Sequence, residues 1–407
     1  MKQNALTLIS EIEDHQLEKL RTLFSSRKEE FAGELGKVGT IQYARLVIVD
    51  KHTNQAGEVF AAQLVLSSNF DGDPDQQIQD IVNKIGPTLD LIYAHIKGYD
   101  KNNKLEFFRK SRTKEAAFYQ GSPHRTLEVI RQEKALHQEL FDLINSGNWK
   151  GKSASEIHES LKNSVFSKPE FAWAKKNIEL PGINYLMAGF SILIIILLLP
   201  VIIIWVIILQ VFHENKDVPL GLTPNQLDLK TMEHLEKDED FYWQNQFSQV
   251  VDMKPGMMRI VTLLSFFALA RVLVKAIFVK GKLMGIPTIH FARWVMINNN
   301  KRVLFFSNFD GSWTQYLGDF IDKSGWGLTG IFSNTRYFPK AFMLVTKGAY
   351  NQRQFLAWAR YTQIQTQVWY AEDKGQSIKN INNNTAIRNA FPKKLTEAQA
   401  QKLLSWI

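Results

Sequence analysis

The longest apolar stretch of the chain runs from Ile183 to Phe212 without a single charged residue. Water-soluble folds rarely bury so continuous a run, so the pattern predicts a segment inserted in a membrane. One helix of this length would measure roughly 45 Å, against about 30 Å for the hydrocarbon core of a bilayer. Pro200 interrupts the run ahead of Trp205, and an internal proline kinks or breaks a helix. The segment is predicted to be one kinked helix or a hairpin that turns near Pro200, and we favour the hairpin.

Outside this segment, the pattern of hydrophobic and polar positions occurs twice in the same order, which indicates an internal duplication. Residues 42–45 read Gln-Tyr-Ala-Arg and match residues 290–293, which read His-Phe-Ala-Arg. Residues 68–72 and residues 307–311 share the identical sequence Ser-Asn-Phe-Asp-Gly. Two copies of one structural unit explain these matches.

Each copy predicts the order strand, helix, strand, strand, helix, strand. In the predicted strands every second residue is hydrophobic, and in the predicted helices hydrophobic residues recur every three or four positions. The predicted bounds are 6–12, 16–35, 40–49, 61–68, 75–96 and 116–119 in the first copy, and 247–253, 256–280, 288–297, 302–307, 313–334 and 341–346 in the second. Further helices are predicted at 124–146 and 352–362. The closing strands are aligned by matching Ala117 and Phe118 with Ala341 and Phe342. This order is that of a split βαβ, or ferredoxin-like, unit.

The central strands of both copies carry largely apolar side chains on both faces, so both faces of each sheet must be covered. A four-stranded sheet with helices on one side leaves its other face open, so we expect the two sheets to lie face to face. The predicted fold class is α+β, with two tandem ferredoxin-like βαββαβ repeats packed as a pseudo-twofold α/β barrel, plus one membrane-inserted hydrophobic helical segment.

These elements divide the chain into six segments. The predicted division is a first ferredoxin-like repeat at 1–150, an amphipathic linker at 151–182, the membrane-inserted segment at 183–212, a second linker at 213–245, a second repeat at 246–372, and a C-terminal tail with a helix at 373–407. Two sheets in contact must lie on the same side of a bilayer, so a single crossing between them requires a second segment that returns. Only residues 260–279 are apolar enough for that return, and they read as an amphipathic helix of the second repeat. This is why the hairpin is favoured.

Composition narrows the chemistry and the location. The chain contains no cysteine, which excludes disulfides, thiolate metal sites and a cysteine nucleophile. Its formal charge of +9 is spread over scattered lysines, a pattern typical of a solvated surface, with attraction to anionic lipid as the alternative. The pattern does not predict nucleic-acid binding. No apolar signal-peptide core follows Met1, so both folded domains are expected on the cytoplasmic side of a membrane.

Two charged residues repeated in both copies are the first candidates for ligand binding. Arg45 and Arg293 lie within apolar strands, where a buried guanidinium needs a carboxylate partner. The duplicated Asp71 and Asp310 are the natural partners. We expect internal salt bridges between these residues, with an anion site at a helix start as the alternative.

His290 and Trp294 complete the candidate ligand-binding residues. His290 lies on a central strand, but no pair among the nine histidines has the spacing of metal ligands, so no metal site is predicted. Trp294 belongs to an aromatic-rich region that either fills a core or lines an apolar pocket. No nucleophile-elbow, phosphate-loop or dinucleotide-binding motif occurs, so no catalytic residue is predicted.

Residues 285–294, Gly-Ile-Pro-Thr-Ile-His-Phe-Ala-Arg-Trp, and residues 307–313, Ser-Asn-Phe-Asp-Gly-Ser-Trp, resemble a group of uncharacterised bacterial membrane-associated proteins with duplicated ferredoxin-like, or dimeric α/β barrel, domains. That resemblance covers both repeats and implies no established activity. The fold is also similar to that of dye-decolourising peroxidases, whose GxxDG motif supplies a distal aspartate and whose proximal histidine follows later. Here Ser68 and Ser307 replace the first glycine, and no histidine follows Gly311. No cofactor is predicted, with haem kept as an alternative.

The predicted function is a membrane-anchored module that binds a lipid-like or other apolar or anionic small molecule. Two alternatives stay open, a haem-dependent peroxidase-like oxidoreductase and a self-associating membrane scaffold. Membrane lipid is the predicted partner, and a homo-oligomer is the other partner considered.

Overall fold

The computed structural model describes residues 2–222, 226–240, 242–279 and 281–407 and has a mixed α+β architecture. The strands are β1 (Gln3–Glu11), β2 (Ile41–Val49), β3 (His52–Thr53), β4 (Val59–Phe60), β5 (Gln63–Asp71), β6 (Ala117–Gln120), β7 (Gln244–Asp252), β8 (Ile289–Ile297), β9 (Arg302–Asp310), β10 (Ala341–Phe342), β11 (Thr346–Lys347) and β12 (Val368–Ala371). The α-helices are α1 (Leu17–Gly36), α2 (Pro74–Tyr93), α3 (Lys104–Ser111), α4 (Leu127–Ser146), α5 (Ala154–Phe166), α6 (Tyr185–Phe212), α7 (Leu229–Glu236), α8 (Met257–Ala276), α9 (Trp313–Phe332), α10 (Gln352–Thr362), α11 (Ile378–Ala390) and α12 (Glu397–Leu404).

Two four-stranded antiparallel sheets form the centre of the molecule, with the strand orders β1-β5-β2-β12 and β7-β9-β8-β6. Three strands of each sheet come from one half of the chain, and the fourth, at one edge, comes from the other half. β12 pairs with β2 of the first half, and β6 pairs with β8 of the second half. The halves have therefore exchanged edge strands and are interlocked.

This exchange corrects the predicted closing strands. The strand predicted at 116–119 is β6, and it belongs to the sheet of the second half. The strand predicted at 341–346 is wrong, because those residues form the small hairpin β10–β11, in which Phe342 is exposed. The edge strand is β12, which follows α10. The two-residue match of Ala117 and Phe118 with Ala341 and Phe342 could not identify β12 as the edge strand, because pairing with a distant strand leaves no local sequence pattern.

The two sheets lie face to face across a layer of aliphatic side chains, as the apolar patterns of the central strands predicted. Its fully buried members are Val47, Val49 and Val65 from the first sheet and Val295, Ile297, Leu304 and Phe306 from the second. The opposite faces of the sheets pack on α1 and α2 in the first half and on α8 and α9 in the second. β-branched residues suit this layer because they pack well on a pleated surface.

The repeated Asp-Gly pair ends a strand and starts a helix, as predicted. Gly72 and Gly311 follow β5 and β9 with φ of 127° and 85°, a region where any side chain would be strained. Asp73 and Ser312 then accept hydrogen bonds from backbone N–H groups in the first turns of α2 and α9. These turns fix where Asp71 and Asp310 end their strands.

The apolar segment is the single helix α6, so the predicted hairpin is wrong. Pro200 removes only one backbone donor, and the apolar residues on both sides continue the helix past it. The helix measures roughly 42 Å. It runs antiparallel to α8, and Trp205 Nε1 donates a hydrogen bond to Thr262 Oγ1 of that helix at 2.9 Å.

Both ends of α6 are attached to the second half of the molecule. At its start, Asn184 N–H donates to Ala276 O at the end of α8, at 3.0 Å. Near its other end, Gln210 Oε1 accepts a hydrogen bond from Met343 N–H at 2.6 Å. The helix therefore lies along the folded body.

A helical layer joins segments that were predicted to be a linker and a tail. Residues 151–182 contribute α5 and a 3-10 segment, and residues 373–407 contribute α11 and α12. Their buried apolar side chains pack on α4 in one cluster: Leu136, Leu140, Leu161, Val165, Phe171, Ile387, Phe391 and Leu403. Short amphipathic stretches do not reveal a distant partner, so this layer was not predicted.

Candidate functional site

Arg45 is buried between the sheets and makes no ion pair with Asp71, so the predicted salt bridge is wrong. Its Nη1 donates to Phe247 O at 2.8 Å, and its Nη2 donates to Ser307 O at 2.9 Å and to Asn308 Oδ1 at 2.6 Å. All of these acceptors belong to the opposite sheet. The guanidinium satisfies backbone carbonyls across the interface and so joins the two sheets.

Arg293 makes the equivalent contacts in the reverse direction. Its Nη1 donates to Leu6 O at 2.8 Å, and its Nη2 donates to Ser68 O at 2.7 Å and to the side chain of Asn69. Burial lowers the pKa of Arg293 to about 10. Burial first, and then repulsion from Arg293, lowers the pKa of Arg45 to about 9. Both arginines are enclosed by hydrogen-bond acceptors of the protein, so each one acts as a structural cross-link between the two sheets.

Asp71 joins a central strand to the start of α4. Its Oδ1 accepts a hydrogen bond from Gln42 Nε2 at 2.9 Å, and its Oδ2 accepts one from Leu127 N–H at 2.5 Å. Burial raises the pKa of the Asp71 carboxyl, although both hydrogen bonds act in the opposite direction. The repeated aspartate is thus a partner of a helix N-terminus.

Asp310 joins a central strand to the start of α11, and its side-chain partner is a histidine where that of Asp71 is a glutamine. Its Oδ1 lies 2.7 Å from His290 Nε2, and its Oδ2 accepts a hydrogen bond from Ile378 N–H at 2.8 Å. His290 is 1% exposed. Two residues predicted as separate ligand candidates are therefore a buried pair.

Gln42 and His290 both sit at irregularities of strand register. The pairing of β2 with β5 shifts between Ile41 and Tyr43, and the pairing of β8 with β9 shifts between Ile289 and Phe291. A bulge adds one residue to a strand and redirects its side chain, and bulges are frequent near functional sites. Here the bulges turn both side chains toward the aspartates.

A cleft of about 370 Å³ lies where these ends of the sheets meet α4 and α11. Its polar base contains Gln42, Tyr43, Gln244, His290 and Gln376. The ring of Tyr43 lies 5.3 Å from the imidazole of His290, measured between centroids. Burial, followed by the charges of two nearby aspartates, raises the pKa of the Tyr43 hydroxyl well above its usual value. The phenol therefore stays protonated.

Two ion pairs border this cleft and link α4 to the loop after β12. Arg131 Nε donates to Glu372 Oε1 at 3.1 Å, and Lys134 pairs with Asp373. These four side chains are partly exposed, so each pair contributes little stability in water. Their effect is to leave the rim close to neutral.

Trp294 lies apart from this cleft, at a small apolar cavity between α8 and α9. The cavity measures about 70 Å³ and is also lined by Ala270, Leu273 and Trp326. Trp294 Nε1 has no hydrogen-bond partner within the described ranges. Of the six predicted ligand residues, the two arginines lie between the sheets, His290 lines the cleft, and Trp294 lines this cavity. Asp71 and Asp310 do not line the cleft themselves and are bonded to the cleft residues Gln42 and His290.

The residues present do not fit a haem of the kind that the peroxidase resemblance implies. Asp310 and His290 are hydrogen-bonded to each other, so they cannot stand on opposite faces of one macrocycle. Asp71 is committed to Gln42 and to the start of α4. Among residues 2–222, 226–240, 242–279 and 281–407, no group of three or more His, Asp or Glu side chains could hold a metal ion. No chemistry is derived through either group.

Sequence reasoning missed most residues of the cleft. Gln244 and Gln376 carried no signal, since one begins a strand and the other lies in a loop more than a hundred positions away. Tyr43 did carry a sequence signal, because it lies in the repeated motif at the position where the second copy has Phe291.

No protein-family model, curated protein or solved structure matches the chain.

Proposed function

We propose that the chain is a membrane-attached protein that holds a lipid-like molecule, with α6 as its anchor. The observation that carries the proposal is that α6 is apolar on every side and still exposed. Its most apolar 18-residue window has a mean hydropathy of 3.6. Leu186, Leu197 and Phe212 are 88%, 69% and 60% exposed. Soluble monomers rarely expose so large an apolar surface, whereas hydrocarbon accommodates it.

The outer face of α8 supports the same proposal. In the first half, the exposed positions of α1 are all polar apart from Gly33: Glu18, Lys19, Thr22, Ser25, Ser26, Glu29 and Glu30. In the second half, α8 occupies the corresponding place on its sheet and exposes Met257, Val261 and Leu264. Arg259 and Thr262 of this helix are buried, whereas Ser265, Arg271 and Lys275 are exposed. The first part of the outer face of α8 is therefore apolar where α1 is polar, and the charged side chains lie toward its end.

The attachment of α6 favours an orientation in the plane of the membrane. α6 lies along α8, and the other face of α8 packs on the second sheet, where the ring of Phe267 is 6.1 Å from that of Trp294. If α6 crossed the bilayer, α8 and this sheet would be drawn into the hydrocarbon, where polar loops and strand edges are unfavourable. An in-plane anchor keeps both halves on one side, which the sequence predicted to be cytoplasmic.

The apolar cavity beside Trp294 supports the lipid-like ligand. Its lining is almost wholly apolar and includes the α8 side chains Ala270 and Leu273. Its volume of about 70 Å³ is room for the end of an acyl chain rather than for a whole lipid. An acyl chain that enters between α8 and α9 would come from the same leaflet as α6.

The finer fold, two tandem ferredoxin-like repeats around a pseudo-twofold axis, is part of the proposal. Its support is that equivalent residues take equivalent places: Phe118 lies opposite Arg293 in one sheet, and Trp369 lies opposite Arg45 in the other. The reciprocal hydrogen bonds of the two arginines follow the same relation.

Membrane attachment is tested by flotation of the intact chain with vesicles of phosphatidylcholine and phosphatidylglycerol. Lysine at Leu193, Leu197 and Ile204, all exposed on α6, should abolish flotation because a charge is costly in hydrocarbon. Alanine at the same three positions is the matched control and should still float. A native chain that stays at the bottom of the gradient as a monomer overturns the proposal. A native chain that forms a soluble oligomer would instead support the scaffold.

The orientation is tested with single cysteines, since no native thiol interferes. Gly182→Cys and Lys216→Cys flank α6, and Lys101→Cys reports on the exposed surface of the first half. An impermeant maleimide should label all three in inverted vesicles and none in intact cells. Labelling of Gly182→Cys and Lys216→Cys from opposite sides would show that α6 crosses the membrane.

The lipid site is tested by mass spectrometry of lipids that remain bound after purification in mild detergent. Ala270→Phe fills the cavity and should remove most of the bound lipid, whereas Ala268→Phe, on the exposed face of the same helix, should not. Equal lipid content in the native chain and Ala270→Phe would exclude this cavity.

A further inference from the structure

A basic cavity lies at the C-terminal end of α6, beside the start of α8. Its volume of about 370 Å³ is within the range of small-molecule sites. Of its charged lining side chains, four are basic and one is a carboxylate: Lys216, Lys254, Arg259, Arg336 and Asp217. The cavity therefore carries an excess of positive charge, which an anion would balance.

Asp217 does not balance this excess, because two of the basic side chains already share it. Its Oδ1 and Oδ2 each accept a hydrogen bond from Arg259 Nη2 at 2.8 Å, and its Oδ2 lies 2.7 Å from Lys254 Nζ. Burial is the main cause that lowers the pKa of Lys254 to about 8, and the charge of Arg259 adds to it although Asp217 opposes the shift. Lys254 is thus still protonated at pH 7, and one carboxylate faces two buried cations.

The other two basic side chains are open to a ligand. Lys216 is exposed, and its Nζ has no ion-pair partner in the parts of the chain that the structure describes. Arg336 is partly exposed, its Nη2 donates to Tyr337 Oη at 2.8 Å, and its Nη1 is 3.6 Å from Asp252 Oδ2, beyond hydrogen-bonding distance. Asp252 does not line the cavity and is also paired with Arg302. An anionic oxygen in the cavity can therefore accept from Lys216 Nζ or from a free N–H of Arg336.

The start of α8 adds to the positive potential. This helix of 20 residues begins after Gly256, which has no side chain to cap the first backbone N–H groups. The N-terminal end of a helix attracts anions, because these N–H groups are unpaired and the helix dipole is positive there. Pro255 and Arg259, on either side of this start, both line the cavity.

The cavity also has an exposed apolar border. Phe212 at the end of α6 is 60% exposed, Val218 is 72% exposed, and both line the cavity. Met257, the first residue of α8, is 73% exposed. A ligand that matches both the basic interior and this border is an anion attached to an apolar group.

We propose that this cavity binds a phosphate group whose charge is not balanced within its own molecule, as in the headgroup of an anionic phospholipid. Lys216 and Arg336 bind the phosphate oxygens, and the two buried cations supply further positive charge. Phe212 and Val218 contact the apolar part of the ligand. A free phosphate ester has the same anionic group. The lipid source rests on the proposed function, since it requires α6 to lie at the membrane.

The experiment is a phosphorus NMR titration of the full chain in an uncharged detergent, with dihexanoyl phosphatidylglycerol as the probe. Dihexanoyl phosphatidylcholine should bind about tenfold more weakly, because its own ammonium group balances the phosphate. Lys216→Gln combined with Arg336→Gln should weaken binding of the phosphatidylglycerol about tenfold, and Lys216→Gln alone, at an exposed position, about threefold.

The matched control is Arg271→Gln combined with Lys275→Gln. It removes the same charge from exposed positions toward the other end of α8 and should leave binding unchanged. Thermal unfolding of all variants confirms that each still folds. No binding of the phosphatidylglycerol by the native chain at millimolar concentration, equal binding of the two lipids, or an equal loss in the two double variants would each overturn the proposal.

Glycerol phosphate, titrated in the same way, distinguishes the two sources. Binding weaker than that of the phosphatidylglycerol supports the lipid headgroup, and equal binding supports a free phosphate ester. Flotation of the native chain with vesicles of phosphatidylcholine alone tests the anchor separately. A chain that binds the phosphatidylglycerol in detergent but does not float would keep the phosphate site and reject the anchor, and a chain that floats without this binding would do the reverse.

Discussion

The corner at Asp71 and the corner at Asp310 are built alike and differ in one side chain. Each aspartate ends a strand, accepts the first backbone N–H of a helix and holds the side chain of a bulged residue. In the first half that side chain is Gln42, whose amide carries no charge at any pH. In the second half it is His290, an imidazole in place of the amide. The geometry needs only a donor at this place, so the imidazole is an addition that the fold itself does not require.

A second contrast concerns the outer layer of each half. α1 exposes polar side chains, while α8, which lies beside α6, exposes Met257, Val261 and Leu264 along its first turns and Arg271 and Lys275 toward its end. Cores are similar in both halves because each helix must still pack on its sheet. The two halves therefore differ most where the fold leaves a face free, and the membrane proposal rests on that difference.

The largest effect should come from the arginines shared by the two halves. Arg45→Met removes the hydrogen bonds that the guanidinium donates across the sheet interface, among them those to Phe247 O and Ser307 O, and should lower the free energy of unfolding by about 2–4 kcal/mol. Arg293→Met should cost a similar amount, as measured by urea denaturation. Arg353→Met, at an exposed position, is the control. A near-neutral effect at only one of the two buried positions would break the equivalence of the halves.

A smaller effect should separate the corners by pH. Burial raises the pKa of Asp71 above its ordinary 3.8, so the folded chain holds this proton more tightly than the unfolded chain does. The resulting stabilisation is fully present below pH 3.8 and is lost as the pH rises through the folded value. Asp71→Asn cannot titrate, so its stability relative to the native chain should increase between pH 3.5 and pH 7, as measured by urea denaturation at both pH values. An unchanged difference between pH 3.5 and pH 7 would contradict the raised pKa of Asp71.

The smallest effect should follow from making the corners identical. His290→Gln keeps a donor for Asp310 Oδ1, so its free energy of unfolding should stay within about 0.5 kcal/mol of the native value. Calorimetry or urea denaturation can measure the change. A loss above about 2 kcal/mol would mean that His290 has a structural role that Gln42 lacks.

Much of the candidate site was named from sequence, but its connections were not. Asp71, Asp310, Arg45 and Arg293 stood out because they are repeated, yet the predicted arginine–aspartate pairs do not form. A buried arginine was assumed to need a carboxylate, whereas several backbone carbonyls of the facing sheet satisfy it. Which acceptors are in reach depends on how the two sheets pack.

The amino-acid sequence by itself determined the first three long strands and the two sheet-covering helices of each half, the turns at Gly72 and Gly311 and the apolar character of α6. These features depend on local periodicity and on backbone preferences, which neighbouring residues set. Only the tertiary structure decided the exchange of β6 and β12, the continuity of α6 along α8, and the cleft that brings Gln244 to Gln376. Those features arise from contacts between residues far apart in the chain, and their free energy is gained only when both sheets and their covering helices assemble together.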